Sequence, residues 1–170
     1  MKKRNIILWI ILLVFIDQAV KLIVHHSFMD SNYTIVPDFL EFKPVFNPSY
    51  SYWTAKLGVN MGVLAHLTMF SLIWAVIIFL YKYYHKVDSK NRLLDVGLVF
   101  QTAGFASAYI SILFWKDGVL DFMYFKPLNV TCDLKDLYIN LFVILWIIST
   151  SRLKTNTKDI VQYIKSLFAK

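Results

Sequence analysis

Apolar residues in this chain fall into long blocks, with little of the alternation that marks half-buried strands. The first block, IILWIILLVFI (Ile6–Ile16), is short for a bilayer. Carried through Asp17 to Val24 it reaches about 19 residues, close to the ~20 that a spanning helix needs. A second block runs from about Gly62 to Tyr81, and a third from about Leu94 to Trp115. A fourth, Leu137–Ser149, is short, so its first turn has to begin near Asp136. The third block carries Gly97, Ala103, Gly104, Ala106, Ser107 and Ala108. Small residues let membrane helices approach closely, which places this helix at the bundle centre. The pattern predicts an all-α membrane protein, a single domain over residues 1–170 with four transmembrane helices at about 5–24, 62–81, 94–115 and 137–151 and a basic tail, 152–170.

Composition narrows the class. A hydrophobic fraction of 58% exceeds the 45–50% or so of soluble domains and excludes a disordered chain. Cys132, the single cysteine, excludes an internal disulfide framework and a cysteine-cluster metal site. Five glycines and four prolines leave little room for turn-rich β architecture. Lys2, Lys3 and Arg4 suit the n-region of a cleavable signal peptide, but no small-x-small site follows the first block. A retained helix is expected.

The net charge of +7 is decided by position. With the N-terminus taken as cytoplasmic, 12 of the 18 basic residues lie on inner segments: Lys2, Lys3, Arg4, Lys82, Lys86, Lys90, Arg92, Arg152, Lys154, Lys158, Lys165 and Lys170. Only Asp88, Asp95 and Asp159 among the acids join them, and Lys135 counts with the outer lysines. The positive-inside rule therefore predicts both termini in the cytoplasm and an extracytoplasmic loop region between helices 1 and 2. The excess charge is an orientation signal and calls for no nucleic acid. In the tail, Ile160, Val161, Ile164, Leu167 and Phe168 share a helical face, which fits either a helix on the inner membrane surface or a solvated tail.

Two charges stand inside the first span. Asp17 and Lys21 are four apart, stacked on one face, and able to pair. At ~1.5 Å per residue Asp17 lies roughly 18 Å above Asn5, in the outer half of the bilayer. Lys21 is one turn higher, within snorkelling reach of the interface. The pair either orients the helix or faces a cavity shared with other polar groups. Asp121 follows the outer end of the third helix and Asp136 opens the fourth, at one depth. Two carboxylates sharing a low-dielectric site cannot both ionise cheaply; one keeps a proton and serves as general acid, the other as general base to a water. The same acids also fit solvated loops, Asp117 and Asp133 compete by spacing, and Asp133 suits a helix N-cap. The four histidines have no metal-ligand spacing, and no Gly-rich phosphate loop, GxSxG or HExxH is present. No metal or cofactor is expected.

This constellation resembles the bacterial lipoprotein signal peptidases, or type II signal peptidases. DQAVK (Asp17–Lys21) is similar to the family's Asp-x-x-x-Lys. FNPSYSY resembles its Asn-x-Gly-x-x-Phe stretch, with Asn47 kept and Ser49 in the glycine place. GVLDF puts the first catalytic aspartate on Asp121. DLKDLYIN puts the second on Asp136, with Asp133 in the asparagine place. The family's Gly-Asn-x-x-Asp-Arg is absent: the region reads GFASAYISILFW, which marks a divergent member. The resemblance implies an intramembrane aspartyl endopeptidase of the bacterial cytoplasmic membrane, acting at its extracytoplasmic face. It would remove the signal peptide from diacylglyceryl-modified prolipoproteins just before the lipidated cysteine. Asp121 and Asp136 would be catalytic, with Asp17, Lys21, Asn47 and Asp133 supporting, and prolipoprotein and membrane lipid as partners of a monomer. The aromatic outer segment, about His26–Asn60, would cover the site or form an interfacial belt. Two rivals remain: a paralogue that binds lipoproteins or signal peptides without cleaving them, and a small transport subunit using the Asp17–Lys21 pair.

Overall fold

The structure, a computed structural model, describes residues 1–59, 61–151, 153 and 156–168. Arg152, Lys154 and Lys170 of the tail lie outside the described residues, as does Asn60, and the side chains of Tyr52, Trp53, Leu167 and Phe168 are not described. Three of the described helices are long and apolar enough to cross a membrane: α1 (Lys3–Ser27), α3 (Gly62–Val87) and α4 (Arg92–Phe114). A further helix, α5 (Leu134–Thr150), has 17 residues, about 25 Å against roughly 30 Å of hydrocarbon. A short α2 (Tyr52–Leu57) precedes α3, and α6 (Thr157–Phe168) closes the chain.

Helix α4 is the hub, packing against α5, α1 and α3. Its small residues make this possible. A Cβ on Gly104 would stand 2.8 Å from Ile139 Cγ1 and 3.1 Å from the Lys135 carbonyl oxygen, so only glycine lets α4 and α5 touch there. Helices α1 and α3 instead expose Ile7, Leu8, Ile11, Phe15, Leu64, Leu72 and Val76, the surface expected of helices facing lipid. The tail helix rests on α3: Tyr163 meets Phe79 and Tyr83, and Lys86 Nζ lies 5.2 Å over the Tyr163 ring.

The all-α expectation is corrected by a four-stranded antiparallel sheet in the order β1-β2-β3-β4. Its strands are β1 (Tyr33–Val36), β2 (Leu40–Asn47), β3 (Val119–Phe125) and β4 (Val130–Cys132). Residue chemistry explains it: YTIV, VLDFMYF and VTC are rich in β-branched and aromatic residues. Pro44, which cannot donate to a ladder, sits where the β2–β3 register shifts between Phe42 and Val45. The aromatic outer segment thus contributes β1, β2 and α2. Tyr33 stacks on Phe42, Phe42 meets Phe122, and Phe46 meets Trp115. Val24, Leu120 and Phe122 form a core that ties the sheet to the end of α1. Gly118, at φ +108°, turns the chain into β3 so close to the Asn47 carbonyl that any Cβ would collide with it.

Candidate active site

Five of the six residues singled out from sequence converge where the sheet meets the N-terminus of α5. That terminus explains much of the gathering, because its free N–H groups and positive dipole end attract carboxylates. Asp133 is the N-cap; it accepts the Asp136 N–H at 3.2 Å while Asp136 Oδ2 accepts the Asp133 N–H at 3.1 Å, a reciprocal capping box. Asp17 reaches across from α1 and accepts the Lys135 N–H at 3.1 Å. Asp121 arrives on β3, opposite Val45 of β2, so the sheet aims it at the helix.

Lys21 does not snorkel. It is fully buried, and its Nζ contacts Asp17 Oδ2 at 3.1 Å, Asp133 Oδ2 at 2.6 Å and Ser111 Oγ of α4 at 2.8 Å. The pair therefore faces inward, toward other polar groups. It bolts α1 to α4 and to the α5 cap.

Asp121, Asp133 and Asp136 each offer a carboxylate oxygen, all within 4.8 Å of one another. Between them stands a residue that sequence reasoning missed. Lys135, counted as an outer-loop lysine, turns its ammonium into the cluster. Its Nζ lies 3.0 Å from Asp133 Oδ1, 3.1 Å from Asp136 Oδ2, 3.2 Å from Asp136 Oδ1 and 3.7 Å from Asp121 Oδ1. No sequence signal separates it from a solvated lysine, since only the helix rotation directs it inward. Four carboxylates thus share two ammonium groups, so the cluster is over-supplied with negative charge.

The two candidate catalytic carboxylates differ in surroundings. Asp136 accepts from the Lys135 ammonium at both oxygens and from a backbone N–H as well. Asp121 accepts only the Thr131 hydroxyl, on Oδ2 at 3.3 Å, and its buried Oδ1 has no hydrogen-bond partner. Burial pushes the Asp121 carboxyl up to about 7, Lys135 opposing and Asp133 and Asp136 reinforcing. Burial also works against charge on Asp133, but Lys135 and Lys21 outweigh it and hold that carboxyl below the usual range.

A cavity of about 670 Å³ opens beside the cluster, lined by Asp121, Lys135 and Asp136 together with Phe70, Phe105, Val119, Phe125, Leu137 and Ile139. Asn47, the sixth sequence candidate, lines it from β2; its side-chain oxygen accepts the Ser49 N–H at 3.0 Å and shapes the turn into α2. Helix α4 presents Phe105 and Ala108 to this space, in the stretch that lacks the asparagine and the Asp-Arg pair. Cys132 also lines it, its thiol pushed by burial up to about 12 and so inert as a nucleophile at neutral pH. His66, on α3, is a packing residue: its ring nitrogens meet the Gly62 carbonyl at 2.7 Å and Thr54 Oγ1 at 3.3 Å.

Comparison with known proteins bears on the fold and the family. Two solved bacterial membrane enzymes, obtained by the in meso method at 1.9 and 2.3 Å, share the fold. The first superposes with a TM-score of 0.67 at 22% identity, over 92% of this chain and 97% of the other. The second gives 0.65 at 20% identity, over 92% and 96%. No curated protein sequence matches the chain. The sequence profile of signal peptidase (SPase) II matches residues 9–152, taking in most of α1, the whole of α3, α4 and α5 and every acid of the cluster, and the chain belongs to that peptidase family.

Proposed function

We propose that this protein is an aspartyl endopeptidase that removes signal peptides from diacylglyceryl-modified prolipoproteins, cutting before the lipidated cysteine. The observation that carries the reading is the pairing of Asp121 and Asp136 at the wall of an apolar cavity, one oxygen of Asp121 buried and without a hydrogen bond. Asp121 keeps the proton and Asp136 is the carboxylate. Asp136 takes a proton from water as the water oxygen bonds to the scissile carbonyl carbon, and Asp121 gives its proton to the carbonyl oxygen. Collapse of the tetrahedral species breaks the C–N bond as the leaving nitrogen takes the proton held by Asp136, and Asp121 recovers its own. Asp17, Lys21 and Asp133 hold the pair in place, and Asn47 shapes the entrance.

Topology completes the proposal. Helix α5 is the fourth span, shortened because its first turn belongs to the site. Both termini face the cytoplasm, and the cluster lies toward the extracytoplasmic face of the bacterial cytoplasmic membrane. The substrate's signal helix docks against the bundle while its acyl chains stay in lipid, and a monomer suffices.

The test is cleavage of a diacylglyceryl prolipoprotein by the purified protein in detergent, with the Asp121→Asn, Asp136→Asn double variant as control. Wild-type turnover that disappears in the variant is expected. One observation favours a second reading: α4 offers the cavity Phe105 and Ala108 where family members carry polar groups. Saturable binding of the prolipoprotein without turnover would establish a binding paralogue instead.

A further inference from the structure

The cluster contains two lysines, and they do different things. Lys21 is at 0% exposure, does not line the cavity, and pairs with Asp17 and Asp133, neither of which lines that space. It is a bolt. Lys135 lines the cavity and lies within 3.7 Å of both members of the carboxylate pair. Its backbone is fixed independently, by the bond from its N–H to Asp17, so the ammonium is held where it is by the fold. The three surrounding carboxylates are spaced as they would be around a divalent cation, and the ammonium fills that position.

We propose that Lys135 is the built-in counter-charge of the carboxylate pair, holding Asp136 ionised and setting the pH range over which a single proton stays on Asp121. The inference rests on the peptidase reading of that pair. Lys135 acts through the two aspartates and is a positioning residue. A cation about 3 Å from a carboxylate favours its charged form, so Lys135 draws both ionisations of the pair to lower pH. The other titratable groups around the pair are Asp17 and Lys21 from α1, Cys132 from β4, and Asp133 at the cap. Tyr138 of α5 turns away, donating to the Leu13 carbonyl at 3.3 Å. Lys21 is already committed to Asp17 and Asp133, so no second ammonium takes over if Lys135 is lost.

The experiment compares wild type, Lys135→Met and Lys135→Arg in two measurements. The first is kcat/KM against pH with a diacylglyceryl prolipoprotein. The second is infrared titration of ¹³C-aspartate-labelled protein, which counts protonated carboxyls whether or not the protein turns over substrate. Lys135→Met is expected to displace both limbs of the activity profile, and the carboxyl titration, upward by about 1–3 pH units. Lys135→Arg is expected to restore the wild-type positions. Lys135→Gln, neutral but still able to donate hydrogen bonds, carries the same expectation as Lys135→Met and replaces it should that variant not fold. A neutral variant whose titration superimposes on wild type overturns the inference. If wild type fails to cleave while the titration still moves, the peptidase reading falls and the counter-charge role stands.

Discussion

Among the described residues, two acidic centres lie at opposite ends of α4, and they are built on opposite principles. At the start of α4, Asp95 is alone among donors: Tyr81 Oη bonds Oδ1 at 2.9 Å, His85 Nε2 lies 3.5 Å away, and the amino terminus bonds Oδ2. Both oxygens are engaged, and the helix N-terminus adds its own favourable field. At the other end, Asp17, Asp121, Asp133 and Asp136 share Lys21 and Lys135, a cavity adjoins them, and one Asp121 oxygen accepts nothing. Neutralised acid is structure. Acid in excess over its counter-charges, beside open space, keeps a proton available for chemistry.

The comparison breaks most easily at Asp121. Asp121→Asn is expected to lower kcat for prolipoprotein cleavage by about 10²–10⁴-fold, the usual worth of a general acid or base. Asp95→Asn is expected to leave kcat within about twofold, measured in the same assay. Equal losses would erase the distinction between the two centres. Next in size is Lys21→Met. Removing one partner of a buried ion pair leaves the other uncompensated, and here two carboxylates are abandoned, so unfolding in detergent should reveal a loss of about 3–5 kcal/mol. Asp95→Asn keeps an acceptor for Tyr81 but gives up its charge. A smaller loss of about 1.5–3 kcal/mol is expected in the same unfolding measurement, the worth of hydrogen bonds to a charged group. The smallest effect is in pH. The proposed mechanism uses Asp121 protonated, and burial pushes its carboxyl up to about 7, so wild-type kcat/KM should fall about tenfold for each unit above that value, about 1.4 kcal/mol per unit. A rate flat from pH 6 to 9 would contradict the assignment of the acid.

Much of the cluster was legible in the chain because helix arithmetic is local. Asp17 and Lys21 share a face at any register, Asp133 reads as a cap, and tracking helix ends brings Asp121 beside Asp136. The bundle's centre was legible in the small residues from Gly97 to Ala108. What stayed hidden depends on partners remote in sequence. The β2–β3 pairing joins strands that have α3 and α4 between them, so no turn signal announces it. VLDFMYF consequently read only as the segment that follows the outer end of the third helix. The β1–β2 turn did leave a trace in Pro37 and Asp38, the latter at φ +57°, but its aromatic surroundings resembled an interfacial belt. Lys135 was hidden for another reason. Charge counting assigns a lysine to a side of the membrane and is blind to the direction in which its side chain points.

The strand pairing that aims Asp121 also sets a schedule. β2 leaves the ribosome before α3 and α4, β3 after them, and the helix that carries Asp136 later still. Closing β2 onto β3 requires a loop of two membrane helices to be in place first, a non-local contact that forms late. A half-made chain therefore carries neither Asp121 nor Asp136, and β2 waits without its partner strand until both membrane helices have been made.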